Sequence, residues 1–266
     1  MKKLAIYKND PWLEPFAPAI EGRFHDAQRK EADLTQQTKN LSDFANAHQY
    51  FGLHRRRGGW VFREWAPNAT VIYLVGDFTG WQEKPEYRLK PLGDGTWELN
   101  LPASAIRHGQ LYKMRVKWDG GEGDRIPAYA TRVVQDPETH IFSAQVWNPR
   151  VYKWKVEKFI PDTRPLLIYE CHIGMAQERE GVGTYTEFRD NVLPRIAADG
   201  YNAIQIMAIQ EHPYYGSFGY HVSNFFAASS RFGTPEQLKS LIDRAHELGI
   251  AVIMDIVHSH AVKNEN

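Results

Sequence analysis

Three continuous apolar segments in the second half of the chain limit the folds that it can adopt. They read LLIYECHI (166–173), NAIQIMAI (202–209) and IAVIMDIV (250–257), and helix-like sequence separates them. A strand that is apolar on both faces must be covered on both faces, which is typical of parallel sheets built from β-α units. We therefore expect three parallel strands with helices packed against them.

Two amphipathic helices are predicted between these strands. The clearer one, TPEQLKSLIDRAHELG (234–249), has Thr234 and Gln237 in a capping-box pattern and an apolar stripe along one side. The other, TEFRDNVLPRIAADG (186–200), has an apolar residue at every fourth position and a glycine that ends it. The order strand–helix–strand–helix–strand favours an α/β region over residues 151–266.

The first 150 residues have a different texture. Residues 48–150 contain short apolar runs bounded by Gly, Asn and Pro, and LYKMRVKW (111–118) alternates apolar with basic residues. Period-two alternation indicates antiparallel strands with one wet face, so we predict an all-β, immunoglobulin-like sandwich there. Residues 1–47 are polar with a weak helical stripe, which predicts a short N-terminal helical segment.

Charge and cysteine content exclude several classes of function. The chain has 32 basic and 32 acidic side chains and a pI near 7.2, which gives no general reason to expect nucleic acid or anionic membrane as a partner. It has neither an apolar run of membrane-spanning length nor an apolar signal-peptide core after MKKLAIYKNDPW. The single cysteine, Cys171, excludes an internal disulfide and suits a cytoplasmic location. No cofactor is expected.

Histidines follow all three predicted parallel strands, where sites collect in folds of this kind. The strand ends read CHIG (171–174), IQEHPYYGSFGYH (209–221) and DIVHSH (255–260). An acid and two imidazoles after a buried strand must find partners, because burying them alone is unfavourable. We therefore predict a site at Asp255, His258 and His260. Aromatic content, with 8 Trp, 13 Tyr and 13 Phe, adds surfaces on which sugar rings can stack.

Other interpretations of these residues remain open. His172 and Glu211 fit a structural role at least as well as a catalytic one, and Tyr214 and Tyr215 fit packing beneath their loop better than ligand contact. His-x-His at a strand end also begins some zinc sites, so a zinc-dependent barrel hydrolase using His258 and His260 is an alternative. Because no further ligand cluster has suitable spacing, we expect no metal.

Three segments together resemble glycogen and starch branching enzymes of the α-amylase superfamily, most closely the subgroup that includes the eukaryotic enzymes. They are REWAPNATVIYLVGDFTGW (63–81), YECHIG (169–174) and the long segment from GYNAIQIMAIQEH to DIVHSHAVKN (200–264). The resemblance implies that residues 48–150 form a carbohydrate-binding β-sandwich module. It also implies that residues 151–266 begin an α-amylase-type (β/α)8 TIM barrel and include its first three strands.

The resemblance implies a retaining reaction on an α-1,4-glucan such as glycogen or amylose. One carboxylate attacks the anomeric carbon while a second carboxyl group protonates the leaving oxygen. A glucan 6-hydroxyl then takes the glycosyl group, which forms an α-1,6 branch. In the family the carboxylates follow strands four, five and seven, beyond Asn266, so we expect the chain alone to be inactive. A short protein that binds glucan without catalysis is the alternative.

The resemblance also implies residue roles. Tyr220 corresponds to the tyrosine that stacks under the sugar beside the cleaved bond, His260 to the histidine that hydrogen-bonds this sugar, and Asp255 to an aspartate that orders the site. Calcium-binding amylases have asparagine where this chain has Ser259, which puts a calcium site in doubt. The remaining expected glucan contacts are His258, Gly219, His221, Val222, Tyr215, Trp81, Gly80, Thr79, Phe51, Gly52 and Trp97, for the last of which packing is equally plausible.

Overall fold

The chain forms two compact units, Met1–Tyr50 and Phe51–Asn266. The computed structural model describes residues 4–36 and 40–262. The predicted boundary at residues 47 and 48 lies near the division between the units. The predicted boundary at residues 150 and 151 lies inside the second unit, which contains both the β-sandwich and the parallel sheet, and it stays a prediction.

The first unit is helical over its described residues. Its helices are α1 (Ile6–Asn9), α2 (Ala17–Thr35), α3 (Leu41–Phe44) and α4 (Ala47–Tyr50). The side chain of Asn40 caps α3 by accepting a hydrogen bond from the backbone N–H of Asp43 (2.8 Å). The predicted N-terminal helices are therefore confirmed. In the described part of the chain, no helix combines the length and the apolar content needed to cross a membrane.

Two antiparallel sheets follow. Their strands are β1 (Gly52–Arg56), β2 (Gly59–Trp65), β3 (Ala69–Gly76), β4 (Lys90–Pro91), β5 (Thr96–Pro102), β6 (Leu111–Trp118), β7 (Gly121–Arg125), β8 (Val133–Gln135) and β9 (Phe142–Gln145). One sheet has the order β1-β2-β5-β4, and the other has the order β3-β6-β9-β8 with β7 paired to β6. Phe62 and Leu99 of the first sheet share a core with Leu74 and Met114 of the second. The predicted sandwich is therefore confirmed.

The remaining elements form the predicted β-α arrangement. They are β10 (Ile168–Cys171), α5 (Tyr185–Glu187), α6 (Leu193–Ala198), β11 (Ala203–Ile206), β12 (Gln210–Glu211), β13 (Asn224–Ala228), α7 (Pro235–Glu247) and β14 (Ala251–Met254). The strands β10, β11 and β14 form a parallel sheet in that order, whereas β12 and β13 form a separate antiparallel pair. Three parallel strands separated by helices are thus present.

Local sequence explains how the helices begin and where one of them is irregular. At α7, Thr234 Oγ1 accepts the N–H of Gln237 (3.2 Å) and Gln237 Oε1 accepts the N–H of Thr234 (2.8 Å), which is the predicted capping box. Between α5 and α6 the chain makes a π-helical turn over Phe188–Val192 instead of the regular helix predicted. Pro194 lacks the N–H that a regular helix needs at that point, which accounts for the irregular turn.

The first parallel strand is less covered than expected. Leu167 and Ile168 are 59% and 43% exposed, although continuous apolar sequence predicted burial on both faces. The physical reason is position, because β10 lies at an edge of the sheet whereas β11 has a neighbour on each side.

A buried aspartate fastens the segment after the sandwich to α7. Asp243 is 2% exposed, and its carboxylate accepts hydrogen bonds from the Tyr152 hydroxyl (3.0 Å) and the backbone N–H groups of Lys155 and Val156 (both 3.0 Å). Burial by itself raises the pKa of this carboxyl, but the three hydrogen bonds outweigh burial and hold the pKa below its usual range.

We expect Asp243→Asn to lower the free energy of unfolding at pH 7 by about 1–3 kcal/mol, because an amide cannot accept all these bonds. The folded-state pKa is lowered, so the carboxylate's contribution is fully present above the unfolded-state pKa. It is lost as the pH falls through the folded-state pKa. Urea unfolding at pH 7, 5 and 3 should show the wild-type advantage shrinking in acid. Asp190→Asn, at an exposed residue paired with Arg189, is the control and should change little. If the wild type were more stable than Asp243→Asn by the same amount at pH 3 as at pH 7, the lowered pKa of Asp243 would be wrong.

Candidate active site

The carboxyl ends of the parallel strands meet at Asp255, the first residue after β14. Its backbone N–H donates to the carbonyl of Ile206 at the end of β11 (3.1 Å). Its carboxylate accepts hydrogen bonds from Gln205 Nε2 (2.9 Å) and from the hydroxyl of Tyr220 (3.3 Å). Asp255 therefore links β11, β14 and the loop that carries Tyr220. Two of the predicted site residues, Asp255 and Tyr220, are in direct contact.

The surroundings of Tyr220 favour the protonated phenol. Burial raises the pKa of Tyr220, and the charge of Asp255 and the hydrogen bond to it raise it further. The phenol therefore stays protonated at neutral pH and acts as the donor. The sequence analysis missed Gln205. Its signal was present, since Gln205 is the one polar residue between Ala203 and Ile209.

The two histidines after β14 lie at the exposed rim of this site. The ring of His258 stacks on Phe225 of β13, with centroids 5.3 Å apart and planes at 12°, and the rings of His260 and His221 are 6.5 Å apart. Within the described residues, no group of three or more His, Cys, Asp or Glu side chains could hold a metal ion. The zinc alternative for His258 and His260 therefore has no ligand set there. Phe225 was not predicted, because an apolar residue in a strand is usually core.

Two predicted residues contribute backbone to the site. Gly219 has φ +87°, and a Cβ placed on it would fall 1.7 Å from the carbonyl oxygen of Ala208, so only glycine permits this approach. Val222 is buried, and its carbonyl accepts the N–H of Val262 (2.9 Å). The loop before β13 therefore lies close against the chain just after β11, and it is hydrogen-bonded to the segment after His260.

Tyr215 packs beneath the loop. Its ring lies 5.7 Å from the ring of His172, and the guanidinium of Arg231 sits over it at 5.7 Å. Of the two interpretations of Tyr215, these contacts favour packing, and the expected glucan contact stays a prediction. Tyr214 beside it is 63% exposed.

Glu211 has a bonding pattern that does not suit a general acid. It is 1% exposed, and its carboxylate accepts the backbone N–H groups of Ser230 (2.7 Å) and His212 (3.2 Å). Burial raises its pKa. Glu211 also lines a cavity of about 390 Å³ between the sandwich and the loop after β13, together with Arg132 and Arg231. The structural interpretation of Glu211 is therefore favoured.

The sandwich presents Trp81 on a strained turn. Trp81 has φ +60°, which a bulky side chain rarely adopts, and its backbone N–H donates to the carbonyl of Gly76 (2.9 Å). Its indole N–H donates to Asp77 Oδ1 (3.2 Å), while Asp77 Oδ2 accepts the N–H of Leu111 (2.7 Å). Gly80 precedes it with φ +64°. This network holds the half-buried indole of Trp81 in one orientation.

Four other predicted contacts remain in the sandwich, of which Thr79 belongs to the turn of Trp81 and the other three lie elsewhere. Trp97 is 6% exposed in the core, and its indole N–H donates to the carbonyl of Ala66 (3.0 Å), so its expected glucan contact is corrected to packing. Thr79 is 2% exposed, so its side chain cannot meet a ligand either. Gly52 is buried against the backbone of Tyr129, and Phe51 stacks on the Tyr129 ring at 5.4 Å.

Two family models match separate parts of the chain. Residues 50–137 match carbohydrate-binding module 48 (isoamylase N-terminal domain), and residues 191–266 match the alpha amylase catalytic domain. These ranges contain the turn of Trp81 and the site at Asp255, respectively.

Solved structures with the same fold include amylase-type enzymes. Pullulanase type I from Bacillus subtilis superposes with a TM-score of 0.67 at 20% identity, covering 81% of this chain and 34% of that protein. A putative alpha amylase from Salmonella typhimurium gives a TM-score of 0.63 at 22% identity, covering 79% and 34%. At these identities the likeness shows the fold alone.

Sequence relatives are similar over almost the whole chain. The 1,4-alpha-glucan-branching enzyme of Dictyostelium discoideum is 43% identical over 97% of this chain, which spans 39% of that enzyme. That of Rhizophagus irregularis is 44% identical with the same coverage, and 1,4-alpha-glucan-branching enzyme 2-2 of Arabidopsis thaliana is 45% identical over 97% of this chain and 33% of the relative. The chain is therefore a relative of the 1,4-alpha-glucan-branching enzymes, with a carbohydrate-binding module 48 followed by a region of the alpha-amylase catalytic domain.

Proposed function

We propose that the protein carrying this chain is a 1,4-α-glucan branching enzyme. It cleaves an α-1,4 bond and transfers the released segment to a glucan 6-hydroxyl, which forms an α-1,6 branch. The observation that carries the proposal is similarity to enzymes of that name across 97% of the chain. The contact between Tyr220 and Asp255 at the strand ends supports it. Because the chain spans 39% of such a relative, the activity is proposed for the whole protein.

The chain's own residues would bind and orient the donor sugar. Tyr220 offers an aromatic face, and its hydrogen bond to Asp255 limits how the ring can turn beneath a sugar. His260 is exposed, so its ring can reach the hydroxyl groups of the same sugar. Asp255 orders the site through its two donors. The exposed His258 and His221 complete the proposed set around this sugar, and Gly219 and Val222 hold the backbone of the loop that carries Tyr220.

The bond exchange needs a nucleophilic carboxylate and a carboxylic acid about 5 Å apart. In the first step the nucleophile forms a bond to the anomeric carbon while the α-1,4 bond breaks and the leaving oxygen takes the proton of the acid. In the second step the glucan 6-hydroxyl displaces the nucleophile and returns its proton to the conjugate base of the acid. We assign neither role to Asp255 or Glu211. The carboxylate of Asp255 is engaged by Gln205 and Tyr220, and that of Glu211 is buried against backbone N–H groups.

The sandwich would hold the glucan chain independently of the reaction. The match of residues 50–137 to a carbohydrate-binding module supports this, and Trp81 with Gly80 is the proposed contact. Binding without catalysis is the second candidate function, and the same match favours it. A cytoplasmic location stays a prediction, since one relative is named as chloroplastic/amyloplastic.

We expect Tyr220→Ala in the complete protein to lower kcat/KM for branching of amylose about 10- to 100-fold. That range corresponds to about 1.4–2.7 kcal/mol of lost transition-state binding. Tyr220→Phe keeps the ring and loses only the bond to Asp255, so it should fall less, about threefold to tenfold. The fall in absorbance of the amylose–iodine complex measures the rate. Equal activity of wild type and Tyr220→Ala would remove Tyr220 from the site.

We expect Trp81→Ala to weaken glycogen binding about fivefold or more, since aromatic stacking on a ligand contributes on the order of 1 kcal/mol. Affinity electrophoresis in glycogen gels measures the dissociation constant. Trp154→Ala is the matched control, because Trp154 is 40% exposed and lies outside the residues that match the binding module. Equal retardation of wild type, Trp81→Ala and Trp154→Ala would show that Trp81 only packs.

A further inference from the structure

The imidazole of His172 is buried beneath the candidate site. His172 directly follows β10 and is 8% exposed, and neither of its ring nitrogens has a hydrogen-bond partner among the residues that the structure describes. Buried polar side chains without partners are rare in native proteins and call for a physical reason. Nothing in the proposed reaction uses this imidazole directly.

Three aromatic rings enclose His172 edge to face. Tyr215, Phe218 and Phe232 lie at centroid distances of 5.7, 5.7 and 5.5 Å, with interplanar angles of 77°, 90° and 86°. T-shaped contacts of this kind are favourable and directional. His172 thus fills a gap that two loops share, the one before β13 and the one before α7.

The enclosed imidazole touches the loop just before Tyr220. Phe218 has φ +55°, a conformation that a bulky residue keeps only when its surroundings enforce it. Gly174, two residues after His172, leaves room for the same rings, since a Cβ there would fall 2.7 Å from Phe232 and 2.9 Å from the Tyr215 hydroxyl. The segment CHIG therefore forms the floor on which residues 215–218 rest.

We propose that His172 is a positioning residue of the branching reaction, whose neutral imidazole holds Tyr215 and Phe218 so that Tyr220 meets Asp255. The catalytic part of this inference rests on the proposed function. The structural part concerns only the loop and is tested separately.

Several charged and titratable groups lie around His172. His212 is fully buried with its Nδ1 at 2.9 Å from the Gln210 carbonyl, and Arg231 lies over Tyr215. Glu211 is bonded to backbone N–H groups, and the Tyr185 ring lies 5.9 Å from that of Phe232. Burial, and then His212, lower the pKa of His172.

Neither ring nitrogen of His172 has an acceptor among the described residues, so an imidazolium there would disfavour the observed conformation of the loop. The folded-state pKa of His172 is lowered, chiefly by burial. The stability that the neutral ring contributes is present above the unfolded-state pKa, about 6.5, and is lost progressively as the pH falls below it. The loop should therefore release Tyr220 in mild acid.

Fluorine NMR of the chain with 3-fluorotyrosine at position 220 tests the loop without any activity. We expect one resonance at pH 7.5 and a change in its position or intensity as His172 becomes protonated in mild acid. The change should be absent in His172→Phe, which keeps a ring and cannot be protonated. The proposal would be overturned if the resonance stayed the same while His172 becomes protonated. It would also be overturned if His172→Phe showed the same change as the wild type.

Kinetics of the complete protein test the effect on the reaction. We expect His172→Ala to lower kcat about 10- to 100-fold with KM within about threefold, and His172→Phe to restore kcat to within about threefold at pH 7.5. His246→Ala is the matched control. His246 is also partly buried and stacks on an aromatic ring, that of Phe159 at 4.1 Å, but it lies on α7 and not beside the loop that carries Tyr220. This control variant should lower Tm and leave kcat unchanged. If His172→Ala behaves like His246→Ala, His172 is only structural. If the wild-type protein shows no branching at all, the proposed function fails, and the fluorine result still decides the loop.

Discussion

The carboxylate of Asp255 is the contact on which the candidate site depends. It accepts hydrogen bonds from Gln205 and Tyr220, which are 50 and 35 residues away in sequence, while its own N–H is bonded to Ile206. A carboxylate can only accept, so it gathers donors from whichever segments pass close to it. β11, β14 and the loop before β13 are joined here, and Tyr220 is oriented as a consequence.

Backbone geometry and two interface contacts prepare this arrangement. Gly219 lets the loop approach the carbonyl of Ala208, and the rings around His172 support the loop from below. The sandwich is fastened to the region where α7 begins, because Arg132 Nη1 donates to the Gly233 carbonyl (2.6 Å) and Trp147 Nε1 donates to Glu236 (2.9 Å). The proposed binding module and the strand ends therefore belong to one compact unit.

Aromatic residues show how far a side chain's role can be predicted from sequence. Trp81, Trp97 and Tyr215 were all candidates for sugar contact, although packing was as plausible for Trp97 and more plausible for Tyr215. In the structure, Trp97 lies in the sandwich core and Tyr215 packs between His172 and Arg231. Only Trp81 occupies a strained turn with its indole held by Asp77. Residue type indicates that a ring can stack, but whether a face is free depends on what packs on it, and that partner is distant in sequence.

Local patterns were sufficient for the elements themselves. The capping box at Thr234 and Gln237 and the antiparallel strands of the sandwich were predicted from spacings of two to four residues, and the parallel strands from continuous apolar runs. The structure contains all of these elements. The bond from Tyr220 to Asp255, the exposure of Ile168 on the edge strand and the enclosure of His172 were decided only by the tertiary structure. The reason is physical: a spacing along the chain determines which face a side chain occupies, whereas its partner is determined by which distant segment folds against that face.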